Sequence, residues 1–371
     1  MNNYLEDSRI ILTLDAGGTN FVFSAIKNGD LIVAPMILNA CSDNLDKCLN
    51  NLVIGFSNVI ELLPYAPSAI SFAFPGPADY PNGIISNDLP NFPAFKNLIG
   101  FPLATYLEEK FQIPVYINND GNLYALGEAM FGFLPSINNV LRSKGINKEY
   151  NNLLGLTLGT GFGGGIVINS RLLHGENSCA AEIYSLRSYE NAEWFVEETL
   201  SIRGIQRIYR KLANETRNFN PYQIFKIAQG ELDGNKNAAI ETYSLFGKVL
   251  GDAIANCISI LDCLVVIGGG IIGASELFMP SLMGHLNGTI ESSSDTSIKR
   301  IPQKIYNLND EIEVEKFLYG NEVVLESSYY SNKINYDNHR RLGIALSKIG
   351  ASEAIAKGAY AYAIQKLELI K

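Results

Sequence analysis

Residues 12–23 read LTLDAGGTNFVF, and residues 156–167 read LTLGTGFGGGIV. Each stretch is an apolar strand, a tight turn of Gly and Thr, and a second apolar strand, which is typical of a β-hairpin. Glycine turns let backbone N–H groups converge without obstruction by Cβ, and such turns bind phosphate oxygens. Two of them in one chain, with Asp15 beside the first, predict a duplicated fold that holds a nucleotide between its halves. Two unrelated hairpins are the alternative at this point.

The composition favours two folded domains. The chain has 371 residues, 47% of them hydrophobic and only 18% charged, so disorder is not expected over most of its length. The formal net charge of −9 disfavours nucleic acid as a partner, because that binding depends on cationic contacts to phosphate. No stretch approaches about 18 consecutive apolar residues, so no membrane partner is expected.

The cysteines, the histidines and the N-terminus favour the cytoplasm. Five cysteines occur without a Cys-x-x-Cys pair, which favours a reducing compartment, and three scattered histidines indicate no metal cluster. The first eight residues are polar and acidic and lack the order of a signal peptide.

Strands followed by helices predict an α/β fold. Strands are predicted over 10–14, 21–27, 31–37, 69–73, 115–117 and 264–267, and helices over 44–63, 103–111, 122–131, 203–212, 238–261, 275–286 and 351–367. Residues 78–100 and 135–151 are expected to be loops, and 288–340 is left unassigned. The repeated hairpins predict two similar units facing each other across a cleft, a small lobe of residues 1–118 plus 350–371 and a large lobe of 119–349.

Two aspartates lie at predicted strand ends. Asp15 is suited to hold Mg²⁺ through water beside phosphates, with Thr19 as a hydrogen-bond donor, or it shapes the turn. Asp120 follows a buried strand and precedes a helix, where it can accept a proton from a sugar hydroxyl while Asn119 bonds the sugar. The alternative for Asp120 is a helix N-cap.

Other candidate ligand contacts are less specific. Gly268, Gly269 and Gly270 end an apolar strand, where a nucleoside could approach the backbone, or they form a flexible turn. No Gly-Lys-Ser/Thr follows, which excludes a P-loop. Glu182 and Glu197 are of a type that binds paired sugar hydroxyls, or they are surface charges.

The order of these motifs resembles the ROK family (repressors, open reading frames and sugar kinases) of the actin-like ATPase superfamily, from about residue 10 to the C-terminal helix. The matching stretches are DAGGT at 15–19, FPGP at 74–77, PNFP at 90–93, NDGN at 119–122, ALGE at 125–128, LGTGFGGG at 158–165 and GGG at 268–270.

The resemblance implies a fold of two ribonuclease H-like lobes with a ligand cleft, and an ATP-dependent, glucokinase-like phosphotransferase acting on a hexose hydroxyl. Asp120 is then the general base, and Asp15 holds Mg²⁺. The residues implied to hold the sugar are Asn91, Asn119, Glu182 and Glu197, with Ser185 at a sugar-binding position. The residues implied to hold ATP are Asp15, Gly17, Gly18, Thr19, Gly159, Thr160, Gly161, Gly268, Gly269 and Gly270. A homodimer is also expected.

The chain departs from the family pattern after the second hairpin. Residues 181–185 read AEIYS, so that Ser185 replaces the family's sugar-binding His, and no closely spaced cysteines follow. We therefore predict no structural zinc. Glu197 is aligned only through its spacing to Ser201, and Ser178 and Ala181 replace glycines that the family usually has. These changes leave the identity of the hexose open.

Other functions are also compatible with these motifs. An N-acetylhexosamine kinase, acting on N-acetylmannosamine or N-acetylglucosamine, keeps the same phosphate chemistry. A sugar sensor without activity would not need the two aspartates. A repressor would need a DNA-binding domain, and only about nine residues precede the first strand, too few for a helix-turn-helix.

Overall fold

The structure is a computed structural model that describes residues 4–76, 78–87, 89, 91–320 and 322–369. In chain order, the first elements are β1 (Ile11–Ala16), β2 (Asn20–Lys27), β3 (Asp30–Asn39), α1 (Leu45–Glu61), β4 (Ala69–Ala73), β5 (Ala78–Asp79), β6 (Ile84–Ile85), β7 (Phe101–Pro102), α2 (Leu103–Phe111), β8 (Val115–Asn118), α3 (Asp120–Met130), α4 (Phe133–Ser143), β9 (Leu153–Leu158), β10 (Phe162–Ile168) and β11 (Arg171–Leu172). They continue with α5 (Ile202–Ala213), α6 (Pro221–Gln229), α7 (Lys236–Leu261), β12 (Leu264–Gly268), α8 (Ser275–Leu286), β13 (Thr289–Glu291), β14 (Ser297–Lys299), β15 (Lys304–Asn307), α9 (Glu311–Tyr319), β16 (Glu322–Ser327), β17 (Tyr330–Asp337), β18 (Arg341–Leu346) and α10 (Ala351–Leu369).

The chain divides into two compact units. Unit 1 contains residues 1–135, 164–181 and 348–371, and unit 2 contains 136–163 and 182–347. The predicted lobe boundary between residues 118 and 119 falls inside unit 1, and the division into lobes 1–118 plus 350–371 and 119–349 stays a prediction.

Unit 1 is built on a five-stranded sheet with the order β3-β2-β1-β4-β8. The first three strands are antiparallel, whereas β1, β4 and β8 are parallel. One face packs against α1 and α2 through a cluster of buried phenylalanines, Phe21, Phe23, Phe56, Phe72, Phe74, Phe92 and Phe95. The other face packs on α10, where Ile11 and Ile26 contact Tyr360 and Ile364. The sheet is therefore covered on both sides, which fits the apolar parallel strands.

Helix α3 lies close against α10. A Cβ on Gly127 would lie 1.8 Å from the carbonyl oxygen of Ala354, and one on Gly358 would lie 1.8 Å from that of Leu123. Because only glycine permits such a backbone approach, these two positions fix the helix pair at short distance.

Unit 2 contains a parallel sheet in which β9, β12, β18 and β15 follow in that order. The parallel strands β9, β12 and β18 of unit 2 thus repeat the parallel order β1-β4-β8 of unit 1. The prediction of an α/β chain is confirmed. Helix α7 packs on α5, α6 and α8. It is long and apolar enough to cross a membrane by length and composition alone, but its packing is that of a core helix.

Several predicted elements match the structure at both ends, namely β4, α2 and α8. The expectation of a loop over 135–151 is wrong, because α4 continues to Ser143. Leu134, Ile137 and Leu141 are buried on one side of this helix, and their spacing was its signal in the sequence. The described residues of 78–100 form short strands and 3-10 turns, which agrees with the expected loop.

Candidate active site

The first glycine turn joins β1 to β2 in unit 1. Within the part of the chain that the structure describes, the N–H groups of Gly17, Gly18 and Thr19 have no protein acceptor. The Ala40 N–H stabilises the turn by donating to the Thr19 carbonyl at 2.9 Å. Free N–H groups in a tight turn are the arrangement that binds phosphate oxygens.

Asn91 lies beside this turn. A Cβ on Gly18 would lie 3.0 Å from the Asn91 carbonyl oxygen and 3.2 Å from its Cβ. Unit 1 thus brings together a candidate phosphate contact and a candidate sugar contact. Pro77 and Pro90, which belong to the FPGP and PNFP stretches, lie outside the described residues.

Parallel strands explain why Asp15 and Asp120 approach each other. β1 ends just after Asp15, β8 ends two residues before Asp120, and both pair with β4 in parallel. The carboxyl ends of parallel strands meet at one edge of a sheet, where ligands of α/β proteins bind. The charge of Asp120 lies close enough to Asp15 to affect its pKa.

Asp15 is exposed, and among the described residues its carboxylate has no hydrogen-bonding partner. Its pKa is raised, first because neighbouring protein atoms displace water from the carboxyl and second because of the negative charge of Asp120. A carboxylate with open ligand positions and a second carboxylate nearby is a donor set that fits Mg²⁺.

Asn119, not Asp120, is the N-cap of α3. The Asn119 side-chain oxygen accepts from the Gly121 N–H at 2.8 Å, and Asp120 is the first helical residue. The alternative that Asp120 serves only as an N-cap is therefore wrong. The capping bond occupies the Asn119 oxygen and leaves its amide N–H groups to donate to a ligand.

The Asp120 carboxylate is poised to take up a proton. One oxygen accepts from the Gly121 N–H at 2.8 Å. The residue is exposed, yet protein atoms crowd the carboxyl. This crowding raises its pKa, and the backbone hydrogen bonds oppose the rise only in part. A carboxylate with a raised pKa is a stronger base than an ordinary aspartate.

The raised pKa predicts a pH-dependent stability difference. Ionising Asp120 costs more free energy in the folded than in the unfolded chain. The resulting loss of stability is absent below the unfolded pKa of about 3.9, where the carboxyl is protonated in both states, and it is complete above the folded pKa. The Tm of Asp120→Asn minus that of the wild type is expected to increase as the pH rises from 4 to 7, measured by scanning calorimetry. A difference that does not change with pH contradicts the raised pKa.

Gly164 and Gly165, in the stretch LGTGFGGG at 158–165, pack against α3. A Cβ on Gly121 would lie 2.5 Å from the Gly164 carbonyl oxygen, and one on Gly165 would lie 2.5 Å from that of Gly121. Backbone therefore packs on backbone next to Asp120. Gly121 and Gly165 are therefore required to be glycine by this packing.

The second glycine turn lies in unit 2, between β9 and β10. The Gly159 N–H donates to the Gly161 carbonyl at 3.0 Å, and the Phe162 N–H donates to Glu197 Oε2 at 2.9 Å. The N–H groups of Thr160 and Gly161 have no acceptor among the described residues. They are the donors that this turn can offer to a phosphate.

The three glycines after β12 have different surroundings. Gly268 is the buried last residue of β12. Gly269 has a φ of +92°, and its Cβ would lie 2.2 Å from the Leu158 carbonyl oxygen, so glycine is required there by the fold. Gly270 has open space around its Cα, which leaves room for a ligand.

The remaining candidate sugar contacts lie in unit 2 on two short 3-10 turns, Ile183–Ser185 and Val196–Glu198, which contact each other. Glu182 and Ser185 are exposed, and the Ser185 hydroxyl donates to the Glu182 carbonyl at 2.7 Å. The Glu197 carboxylate contacts Phe162 and also the Arg203 guanidinium at 3.0 Å.

An aromatic and ionic cluster cross-links the segment that follows, in which the sequence has no closely spaced cysteines. The Arg207 guanidinium lies 4.4 Å from the centre of the Trp194 ring and 3.5 Å from Glu190, which also accepts from the Thr199 hydroxyl at 2.8 Å. Among the described residues, no three His, Cys, Asp or Glu side chains are grouped to hold a metal. The absence of zinc stays a prediction.

Ser178 and Ala181 keep the backbone conformation of glycines. Their φ angles are +56° and +65°. An L-residue in this region costs about 1–2 kcal/mol, so Ala181→Gly is expected to raise the free energy of unfolding by about 1 kcal/mol in urea titrations. The control is Ala180→Gly, which has no positive φ to relieve and is expected to destabilise the protein. Equal effects of the two changes contradict the explanation.

Comparison with known proteins identifies the family. The model of the ROK family matches residues 11–305. A glucokinase structure from Parabacteroides distasonis is 47% identical, with a TM-score of 0.88 over 98% of this chain and 99% of that one. An N-acetyl-D-glucosamine kinase from Vibrio cholerae is 28% identical over 276 residues, 69% of this chain and 83% of that protein. A glucokinase from Halalkalibacterium halodurans is 30% identical over 211 residues, half of this chain and 57% of that protein's length.

The fold defines an α/β protein of the actin-like ATPase type, as predicted. The chain belongs to the ROK family. Unit 1 contains Asp15, the first glycine turn, Asn91, Asn119 and Asp120, and unit 2 contains the second turn, Gly268–Gly270, Glu182, Ser185 and Glu197. Each unit brings its own group of predicted residues together locally.

Proposed function

We propose that this protein is an ATP-dependent sugar kinase that phosphorylates a hexose hydroxyl, with glucose as the first substrate to test. The observation that carries the proposal is Asp120, an ionisable carboxylate at the start of α3, placed near Asp15 at one sheet edge. The sequence similarity to a glucokinase over nearly the whole chain supports the substrate class.

In this proposal, each side chain has a defined role. Asp120 accepts the proton of the sugar hydroxyl as the hydroxyl oxygen attacks the γ-phosphorus of ATP, and the bond from that phosphorus to the β–γ bridging oxygen breaks to release ADP. The amide of Asn119 and the side chain of Asn91 orient the sugar, and family resemblance adds Glu182, Ser185 and Glu197 as sugar contacts.

The phosphates are bound by backbone groups. The N–H groups of Gly17, Gly18 and Thr19 and those of Thr160 and Gly161 donate to phosphate oxygens, and Gly268–Gly270 contact the adenosine. Asp15 would hold Mg²⁺, and the bound ion would neutralise charge that develops on the phosphates.

The test is turnover of purified protein with Mg–ATP and a panel of sugars, followed as ADP release and as sugar phosphate. The panel contains glucose, mannose, fructose, allose, N-acetylglucosamine and N-acetylmannosamine. Phosphorylation of glucose above the other sugars is the expected result. Phosphorylation of none contradicts the proposal.

An N-acetylhexosamine kinase is the second candidate. The Vibrio cholerae relative and the replacement of the family's sugar-binding His by Ser185 favour it. A kcat/KM for N-acetylglucosamine above that for glucose would establish it instead of the first candidate.

We also propose a cytoplasmic homodimer. All five cysteines are free thiols, which is typical of a reducing compartment. Closed two-fold pairs are the commonest oligomers. Light scattering coupled to gel filtration tests the dimer, and a mass of one chain contradicts it.

A further inference from the structure

Glu197 and its neighbours bind the second glycine turn from one side. Two groups of this segment make the contact, the Glu197 carboxylate and the Ile202 N–H, and the Ser201 hydroxyl binds the Glu197 main chain between them. We call them the Glu197 brace. All of them lie in unit 2, as does the turn itself.

The brace contacts both ends of the turn. At the start, the Ile202 N–H donates to the Gly159 carbonyl at 2.9 Å. At the end, Glu197 Oε2 accepts from the Phe162 N–H at 2.9 Å. A Cβ on Gly161 would lie 2.6 Å from the same carboxylate oxygen, so the turn and the carboxylate are in direct contact.

The brace is itself held by hydrogen bonds and an ion pair. The Ser201 hydroxyl donates to the Glu197 carbonyl at 2.7 Å, and its oxygen accepts from the Gly204 N–H at 3.3 Å as the N-cap of α5. Ser201 is fully buried. Arg203 donates to Glu197 Oε1 at 3.0 Å and to Glu198 at 2.9 Å, but its side chain is 59% exposed, so this ion pair contributes little.

The brace also affects which N–H groups of the turn remain available to a ligand. Gly159 donates within the turn and Phe162 donates to Glu197, which leaves Thr160 and Gly161 as donors for a ligand. Without the carboxylate, the Phe162 N–H loses its acceptor and the end of the turn loses its support.

We propose that Glu197 is a positioning residue for the nucleotide: its carboxylate oxygen orders the turn that binds phosphate, in addition to the sugar contact that family resemblance implies. This inference rests on the proposed kinase function. It predicts that nucleotide affinity depends on the hydrogen-bond acceptor at position 197 and not on its charge, even when no sugar is present.

Two conservative variants separate the acceptor from the charge. Glu197→Gln removes the charge and keeps an oxygen at the same reach. Glu197→Asp keeps the charge but withdraws the oxygen by one methylene. Mg–ADP binding is measured by calorimetry without sugar, and far-UV circular dichroism establishes that each variant is folded.

The expected result is that Glu197→Gln binds Mg–ADP within about twofold of the wild type, whereas Glu197→Asp binds it about fivefold to tenfold more weakly, as the loss of one hydrogen bond allows. A residue that contacts only sugar would leave ADP affinity unchanged in both variants, and this result overturns the inference. Weaker binding by the Gln variant than by the Asp variant also overturns it.

Arg203→Met is the matched control for the ion pair, and it is expected to leave ADP affinity unchanged. An affinity loss in this variant equal to that of Glu197→Asp overturns the inference, because the effect then follows from the ion pair. A wild-type protein that binds no Mg–ADP contradicts the proposed function itself, whereas wild-type binding with the wrong order of variants contradicts only the role of Glu197.

Discussion

Asp120→Asn is expected to lower kcat for hexose phosphorylation by about 10²–10⁴-fold, the usual contribution of a general base. The amide is nearly isosteric and can still accept the Gly121 N–H, so α3 and the sugar contacts are expected to stay in place. Sugar affinity, measured by calorimetry, should therefore change little. A large loss of kcat with little change in sugar affinity distinguishes a general base from a residue that only binds the sugar.

Asp310→Asn is the matched control for this experiment. Asp310 is the N-cap of α9 in unit 2, so the same chemical change is made at another helix start, where Asn is also a good cap. Turnover of this variant should equal that of the wild type. An Asp120→Asn enzyme that retains more than about a tenth of wild-type kcat removes Asp120 from the role of base.

Gly358→Ala is expected to destabilise the protein by about 2–3 kcal/mol, because the added methyl group overpacks the contact between α10 and α3. Its Cβ would lie 1.8 Å from the Leu123 carbonyl oxygen. Backbone cannot rotate out of the way as a flexible side chain can, so the helices must separate. The measurement is the free energy of unfolding from urea titration, followed by circular dichroism.

Gly284→Ala in α8 is the opposite case. Nothing lies within 4 Å of the position that its Cβ would occupy. Alanine is favoured over glycine inside a helix by about 0.8–1 kcal/mol, so this variant should be as stable as the wild type or more stable. A Gly358→Ala variant that is as stable as Gly284→Ala would show that helix α10 tolerates the methyl group, against the close packing described above.

The positions of Asp15 and Asp120 at strand ends were predicted because they depend on local patterns, whereas their approach to each other depends on the strand order β1-β4-β8. Short apolar runs mark the parallel strands, and each aspartate lies at or just beyond the end of its strand. Parallel neighbours place those ends at one edge without further knowledge of packing. The glycine turns were predicted for the same reason, since turn chemistry is encoded within a few residues.

The role of Glu197 at the glycine turn could not be predicted in this way. Its partner, the Phe162 N–H, lies 35 residues earlier in the chain, and only the tertiary fold joins them. The cluster of Trp194 and Arg207 is of the same kind. Helix α4 was missed although its apolar spacing was visible, because its polar residues and its proline resemble those of a loop.

The contact of Gly121 with Gly164 and Gly165 affects how inactive mutants of this chain should be understood. Any side chain introduced at Gly165 meets the main chain beside Asp120 first, before it can reach a nucleotide. Under the proposed function, such a mutant is expected to lose proton transfer to Asp120, although the glycine-rich sequence around position 165 suggests a defect in ATP affinity. Screens that score only loss of turnover would confuse the two causes, and binding measurements would separate them.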